Sequence, residues 1–416
     1  MLSATARSVI MVRRAMATTY RTHGLVLTEH DFEVPVEHDR PDGSRITVFA
    51  REVADPDGLD KPYLVYLQGG PGFEAPRPAR HPSGPVWLDR ALQDFRVLML
   101  DQRGTGRSSP LDATATADQL VHYRADAVVR DAELVRQALD VDRWSVLGQS
   151  FGGFCATRYL SSAPEGLREA FLTGGLPAFQ VPVDEVYATT FELAIERSRR
   201  YYERYPEDRE RVRALMADPV RLASGDLLTA DRVRQLGLNL GMSDGAETLH
   251  YLLELPPDSP AFRHDADDPL DFARDPIYHL LQEASWADGS ATRWAAQRVR
   301  PEDYEREPGL LYGEHMLPSV YDDYAALRPL RDAAHALAEH EWPRLYDFDV
   351  LASNEVPAAA VIYADDLYVP MRYSVESARR IRGLRPWITN EYEHNGLRAD
   401  GERILGRLID LARGRA

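Results

Sequence analysis

At 416 residues the chain is longer than one hydrophobic core usually organises, so a large domain carrying a substantial insertion is expected, and its 44% hydrophobic and 28% charged residues argue against wholesale disorder. A formal net charge of −17 argues against a nucleic-acid partner, which demands a basic stripe to neutralise phosphates, and no apolar run approaches the ~20 residues of a membrane span. The single cysteine, Cys155, cannot form an intrachain disulfide, so the fold needs no oxidising compartment and the cytoplasm is the expected location.

Residues 1–20 contain Arg7, Arg13 and Arg14, small hydroxylated residues and no acids, a composition superficially like a transit peptide. The preferred expectation for 1–24 is a flexible extension, with Met11 or Met16 as alternative starts. From about residue 25, LVLTEHDFEVPVEH and RITVFAREV alternate apolar and polar residues around the turn DRPDGS and predict an antiparallel hairpin. Short continuous apolar runs follow at 63–67, 96–100, 144–148 and 169–175, each suited to a buried parallel strand. Between them, 117–140 sets Val128, Val129, Leu134, Val135 and Leu139 near one helical face, and 152–163 predicts a second helix.

This alternation predicts an α/β fold built on a mostly parallel, doubly wound sheet. Past residue 178 the period changes, and 179–344 is rich in acidic, aromatic and helix-forming residues: an inserted helical cap. The strand–helix pattern resumes with PAAAVIYADD at 357–366, a helix at YSVESARRIRG, the short strand WIT and a closing helix at about 400–413. The core is thus expected in two parts, 25–178 and 345–416, and DADDPLDFARD reads as a solvated loop of the cap.

Gly148-Gln149-Ser150-Phe151-Gly152 stands where a predicted strand meets a predicted helix and fits the G-x-S-x-G elbow, whose glycines relieve crowding around a turn that lifts the serine hydroxyl above the sheet. A serine hydroxyl needs a base, itself oriented by an acid, in the chain order serine, acid, histidine. His394 follows the last predicted strand and is the natural base. Asp366 follows the strand AAVIY, with Asp365 as its rival; Asp366 is preferred because Asp366-Leu-Tyr-Val-Pro370 fits the Asp-x-x-x-Pro run common around such an acid. For the oxyanion, Phe151 supplies one backbone donor, and Gly70, in the glycine loop after YLVYL, the second.

GGPG at 69–72, DQRGTGRS at 101–108 and GQSFGGF at 148–154 resemble, in order and spacing, the prolyl aminopeptidase (proline iminopeptidase) family of α/β-hydrolase serine peptidases, in its longer-chain branch. The resemblance covers the core on both sides of the cap. It implies an α/β-hydrolase fold and a serine exopeptidase that needs no cofactor. Its substrates would be short peptides or aminoacyl small molecules, from which it releases an N-terminal residue, preferably proline, through an acyl-enzyme. It also implies a cap glutamate that binds the substrate amine: the run from Leu311 to Pro318 resembles that segment, and Glu314 is the matching residue. The chain departs from the family at Gln68, where a histidine is usual, and at Tyr363, where a glycine is often found.

Asp101 and Arg103 in DQRGTGRS are expected to order their loop through an ion pair rather than to touch substrate. Glu314-His315 and His335 with His340 lack any metal-ligand spacing, so no metal is expected. Cys155 is expected to be a small buried hydrophobe. Self-association is left open, as are two other readings, an esterase or amidase on the same triad and a noncatalytic ligand receptor on the same fold.

Overall fold

The computed structural model describes residues 12–416 apart from Ala15 and Asp271. Among the described residues ten strands form one sheet: β1 (Arg13–Arg14), β2 (Thr18–Thr22), β3 (Leu25–Pro35), β4 (Arg45–Ala54), β5 (Tyr63–Leu67), β6 (Arg96–Leu100), β7 (Trp144–Gln149), β8 (Leu167–Thr173), β9 (Ala358–Tyr363) and β10 (Leu384–Thr389). Their order is β1-β3-β4-β6-β5-β7-β8-β9-β10, with β2 also on β3. β3, β4 and β6 pair antiparallel, whereas the ladders from β6 through β5 to β10 are parallel.

Side chains alternate across a strand, so β5 serves two layers at once. Leu64 and Tyr66 pack with Trp87, Leu88, Ile404 and Leu408 on one face. Val65 and Leu67 pack with Val128, Val135, Phe154 and Tyr159 on the other. Each fully buried side chain of this kind contributes roughly 1.5–3 kcal/mol, which is why both faces of these strands read as continuous apolar runs.

The helix expected over 117–140 is interrupted. Ala117–Leu120 is a separate short helix, and Arg124 is extended before the helix Ala125–Ala138. The cause is tertiary: the buried Arg124 guanidinium donates to the carbonyls of Ala287, at 2.9 Å, and Pro343, at 3.0 Å. Of the span 1–24 expected as a flexible extension, residues 1–11, including Arg7 and Met11, and Ala15 lie outside the described residues. Thr18–Thr22 within that span forms an edge strand, because β3 is longer than β1 and leaves Leu25–Glu29 open to a further antiparallel partner.

Between β8 and β9 the described chain is helical apart from loops and one isolated bridge, Arg221–Leu227, and its first helix is Val183–Arg204. No helix among the described residues is long and apolar enough to cross a membrane. After β5 the chain returns to pair as β6 on one side, then as β7 on the other. That reversal opens a crevice at the carboxyl ends of β5 and β7, the place where open parallel sheets hold ligands.

Candidate active site

Ser150 occupies the turn between β7 and the helix Phe151–Ser162 with φ 54° and ψ −122°, a conformation that costs an L-residue about 1–3 kcal/mol and persists only when its surroundings hold it. The surroundings do so. Ser150 N–H donates to Thr173 O of β8 at 2.9 Å, and Gly153 N–H to Ser150 O at 2.7 Å. Side chains are excluded on both flanks, since a Cβ on Gly148 would strike the carbonyl of Gly152 and one on Gly152 would strike that of Leu67. As the first residue of its helix, Phe151 has an N–H with no intrahelical acceptor.

Ser150 opens on a cavity of 610 Å³ that His394, Gly70, Glu314, Tyr278 and Trp87 also line. The glycine loop after β5 presses against the serine: a Cβ on Gly69 would stand 3.0 Å from Ser150 Cβ and 3.6 Å from its Oγ. Gln68 is built into this loop. Tyr66 donates its hydroxyl to Gln68 Oε1 at 2.6 Å, and Gln102 Nε2 donates to Gln68 O at 2.8 Å. Tyr66 is stacked in turn on Trp87.

His394 Nδ1 lies 2.8 Å from Asp366 Oδ2. Asp366 Oδ1 accepts the N–H groups of Tyr368 and Val369, each at 2.9 Å, so the carboxylate is held from both ends. A proton on Nδ1 facing this carboxylate leaves the Nε2 lone pair free to accept another. Burial alone would lower the imidazole's pKa, but Asp366, by charge and hydrogen bond, and then Glu314 outweigh it and raise it. Asp365 points elsewhere: its side chain is 47% exposed and stands 3.9 Å from Arg200.

Glu314 belongs to a segment pinned against the helix Val183–Arg204. His315 stacks on Phe191 with ring centroids 3.7 Å apart, and its Nδ1 accepts Gly313 N–H at 3.0 Å. The proton is therefore on Nε2, which donates to Thr190 Oγ1 at 3.0 Å. Glu314 itself accepts from Tyr278 OH at 2.7 Å and Gln282 Nε2 at 2.9 Å. Burial, with Asp366 adding to it, pushes its carboxyl up to about 7 against the opposite pull of His394, Tyr278 and Gln282. A carboxylate so placed gains from any cation that enters the cavity.

Ser150, His394, Gly70 and Glu314 thus share one cavity, with Asp366 behind the imidazole and Phe151 beside the serine. Asp101 and Arg103 order their loop, but not by pairing with each other. The Arg103 guanidinium forks onto Asp131 at 2.7 and 2.6 Å, and Asp101 accepts the N–H groups of Ala75 at 3.1 Å and Arg107 at 2.9 Å. His335 accepts from Trp294 Nε1 at 3.1 Å, and His340 packs on Trp342. Cys155 is fully buried behind the elbow, where burial raises its thiol pKa.

Tyr278 and Gln282 were not identifiable in sequence, because nothing local marks a tyrosine or glutamine for a carboxylate distant along the chain. Tyr368 carried a signal. It lies inside the Asp-x-x-x-Pro run, and its ring meets His394 edge-on with centroids 4.8 Å apart.

A family profile described as the alpha/beta hydrolase fold matches residues 62–397. A proline iminopeptidase of Aeromonas sobria is 43% identical over 427 residues, covering 95% of this chain and 98% of its own. A proline iminopeptidase of Aspergillus aculeatus is 34% identical, covering 92% of this chain and 93% of its own. A probable proline iminopeptidase of Streptomyces coelicolor, 35% identical, aligns with only 34% of this chain and 40% of its own. At that coverage the similarity to the first two extends through the insertion.

Proposed function

The chain belongs to the α/β-hydrolase fold family and, within it, to the proline iminopeptidases, and from that membership we propose that it is a serine exopeptidase releasing an N-terminal residue, preferably proline, from short peptides or aminoacyl small molecules. The observation that carries this reading is a half-buried carboxylate, Glu314, on the same cavity as Ser150 and His394. An enzyme that requires a free N-terminus must stabilise an ammonium group in a partly desolvated pocket, and an unpaired buried cation is very costly.

In this reading Glu314 holds the substrate ammonium and so sets the scissile carbonyl against Ser150. His394 Nε2 takes the Ser150 proton as Oγ attacks, and Asp366 stabilises the imidazolium. The N–H groups of Phe151 and Gly70 receive the oxyanion. His394 then protonates the leaving amine, and water, activated by the same imidazole, releases the amino acid from Ser150. The helical insertion, 179–344, acts as a cap that selects for an N-terminus. A cytoplasmic location fits a lone buried cysteine that needs no oxidising compartment.

The test is a panel of aminoacyl arylamides, N-acetylprolyl arylamide and small esters. Proline arylamide should be cleaved best, and N-acetylation, which removes the positive charge, should suppress cleavage. Preference for esters with no discrimination against the acetylated substrate would assign the chain as an esterase. Failure of a fluorophosphonate to label Ser150 would assign it as a noncatalytic receptor.

A further inference from the structure

The insertion grips both of the loops that carry the acid and the base. Arg197, on the helix Val183–Arg204, makes parallel bonds to Glu393, from Nη1 to Oε1 at 2.6 Å and from Nη2 to Oε2 at 2.9 Å. Its Nη2 also donates to the backbone carbonyl of Asp365 at 2.7 Å. Glu393 immediately precedes His394, and Asp365 immediately precedes Asp366. One guanidinium therefore spans the loop after β9 and the loop after β10 at the positions next to the two residues that must meet.

We propose that Arg197 is a positioning residue that holds Asp366 and His394 in register; this rests on reading Ser150, His394 and Asp366 as the triad. Residues 390–395 contain no helix or strand, so no helical or sheet ladder sets where His394 lies. A second contact from the insertion supports the same loop: His394 N–H donates to Gly241 O at 3.1 Å, and Ser243 N–H and Oγ donate to Asn395 Oδ1 at 3.0 and 2.7 Å. Arginine suits the bridging position because its planar fork makes two parallel bonds to a carboxylate and still has a donor for a carbonyl, which a lysine ammonium cannot match in geometry. Arg200, three residues further along the same helix, is 53% exposed and pairs with the side chains of Glu196 and Asp365.

Arg197→Ala should lower kcat/KM for proline arylamide and for a small ester lacking an amine together, by roughly 10- to 10²-fold, the scale on which a misplaced catalytic group costs rate. Fluorophosphonate labelling of Ser150 should slow in parallel. The far-downfield proton resonance of the His394–Asp366 hydrogen bond should weaken or vanish, and added guanidinium ion should restore part of the rate. Arg200→Ala should change none of these. If Arg197→Ala does not fold, Arg197→Lys carries the same test. An unchanged resonance with wild-type rates on both substrates overturns the proposal, and so does an equal loss in Arg200→Ala. Wild-type protein that is not labelled at Ser150 would overturn the triad reading and the proposal with it, an outcome distinct from labelled wild type with a silent Arg197→Ala.

Discussion

His394 Nδ1 sits 2.8 Å from Asp366 Oδ2, and this contact gives two adjacent aspartates different work. Asp365 is turned to solvent and offers inward only its backbone carbonyl, to Arg197.

Asp366→Asn should therefore reduce kcat by roughly 10³-fold or more, because an amide neither fixes the required imidazole tautomer nor stabilises the imidazolium. Asp365→Asn preserves the carbonyl that Arg197 uses and should be nearly silent. Steady-state kinetics on proline arylamide separate the two, and the reverse order of severity would move the acid to Asp365.

The acid limb of the rate profile follows from the raised His394 pKa. Only the neutral imidazole can accept the Ser150 proton, so activity is full above that pKa and is lost as pH falls through it. Since Asp366 and Glu314 together outweigh burial, the midpoint for a small ester should lie above the ordinary value of 6.5. Glu314→Gln removes one of the two raising carboxylates and should shift that midpoint to lower pH. An ester is required because Glu314, pushed to about 7, titrates in the same window and must be ionised to hold an ammonium. A midpoint that stays put in Glu314→Gln would remove Glu314 from the electrostatics of the base.

The same substitution tests amine recognition. Glutamine keeps the shape and can still accept from Tyr278, while Gln282, which donates Nε2 to the carboxylate, can turn over its amide so that its buried, unpartnered Oε1 receives the new amide. For proline arylamide, kcat/KM should fall by roughly 10²-fold, about 3 kcal/mol, the cost of losing a desolvated ionic hydrogen bond. Ester hydrolysis at a pH well above the acid limb should hardly change. Equal losses on both substrates would assign Glu314 to folding of the cap.

Arg103 tests a structural role. Arg103 and Asp131 are almost wholly buried, and removing the guanidinium leaves the Asp131 charge with only the hydrogen bond of His38 among the described side chains. Arg103→Ala should lower unfolding free energy by about 3–5 kcal/mol in urea titration, with the folded fraction keeping near-normal kcat because Arg103 does not line the cavity. A large loss of kcat with unchanged stability would place Arg103 in substrate contact instead.

Much of the core was legible because its signals are local. The runs at 63–67 and 96–100 coincide with β5 and β6, since strands buried on both faces must be apolar throughout. The elbow was legible because its turn tolerates only glycine at Gly148 and Gly152, which leaves a mark in the sequence. The break in the helix expected over 117–140 was not legible, because it comes from Arg124 reaching across to the insertion. Periodicity along one segment contains no information about that partner.

The alternation of strands and helices and the glycine-flanked turn at Ser150 were written in the sequence, because periodicity and turn chemistry act between near neighbours. Which aspartate faces His394, the presence of Glu314 on the cavity of Ser150 and the joining of two loops by Arg197 come from contacts between distant parts of the chain. Arg197 and Glu393 are 196 positions apart, and a hydrogen bond or a burial cost between such residues exists only after the chain has folded them together.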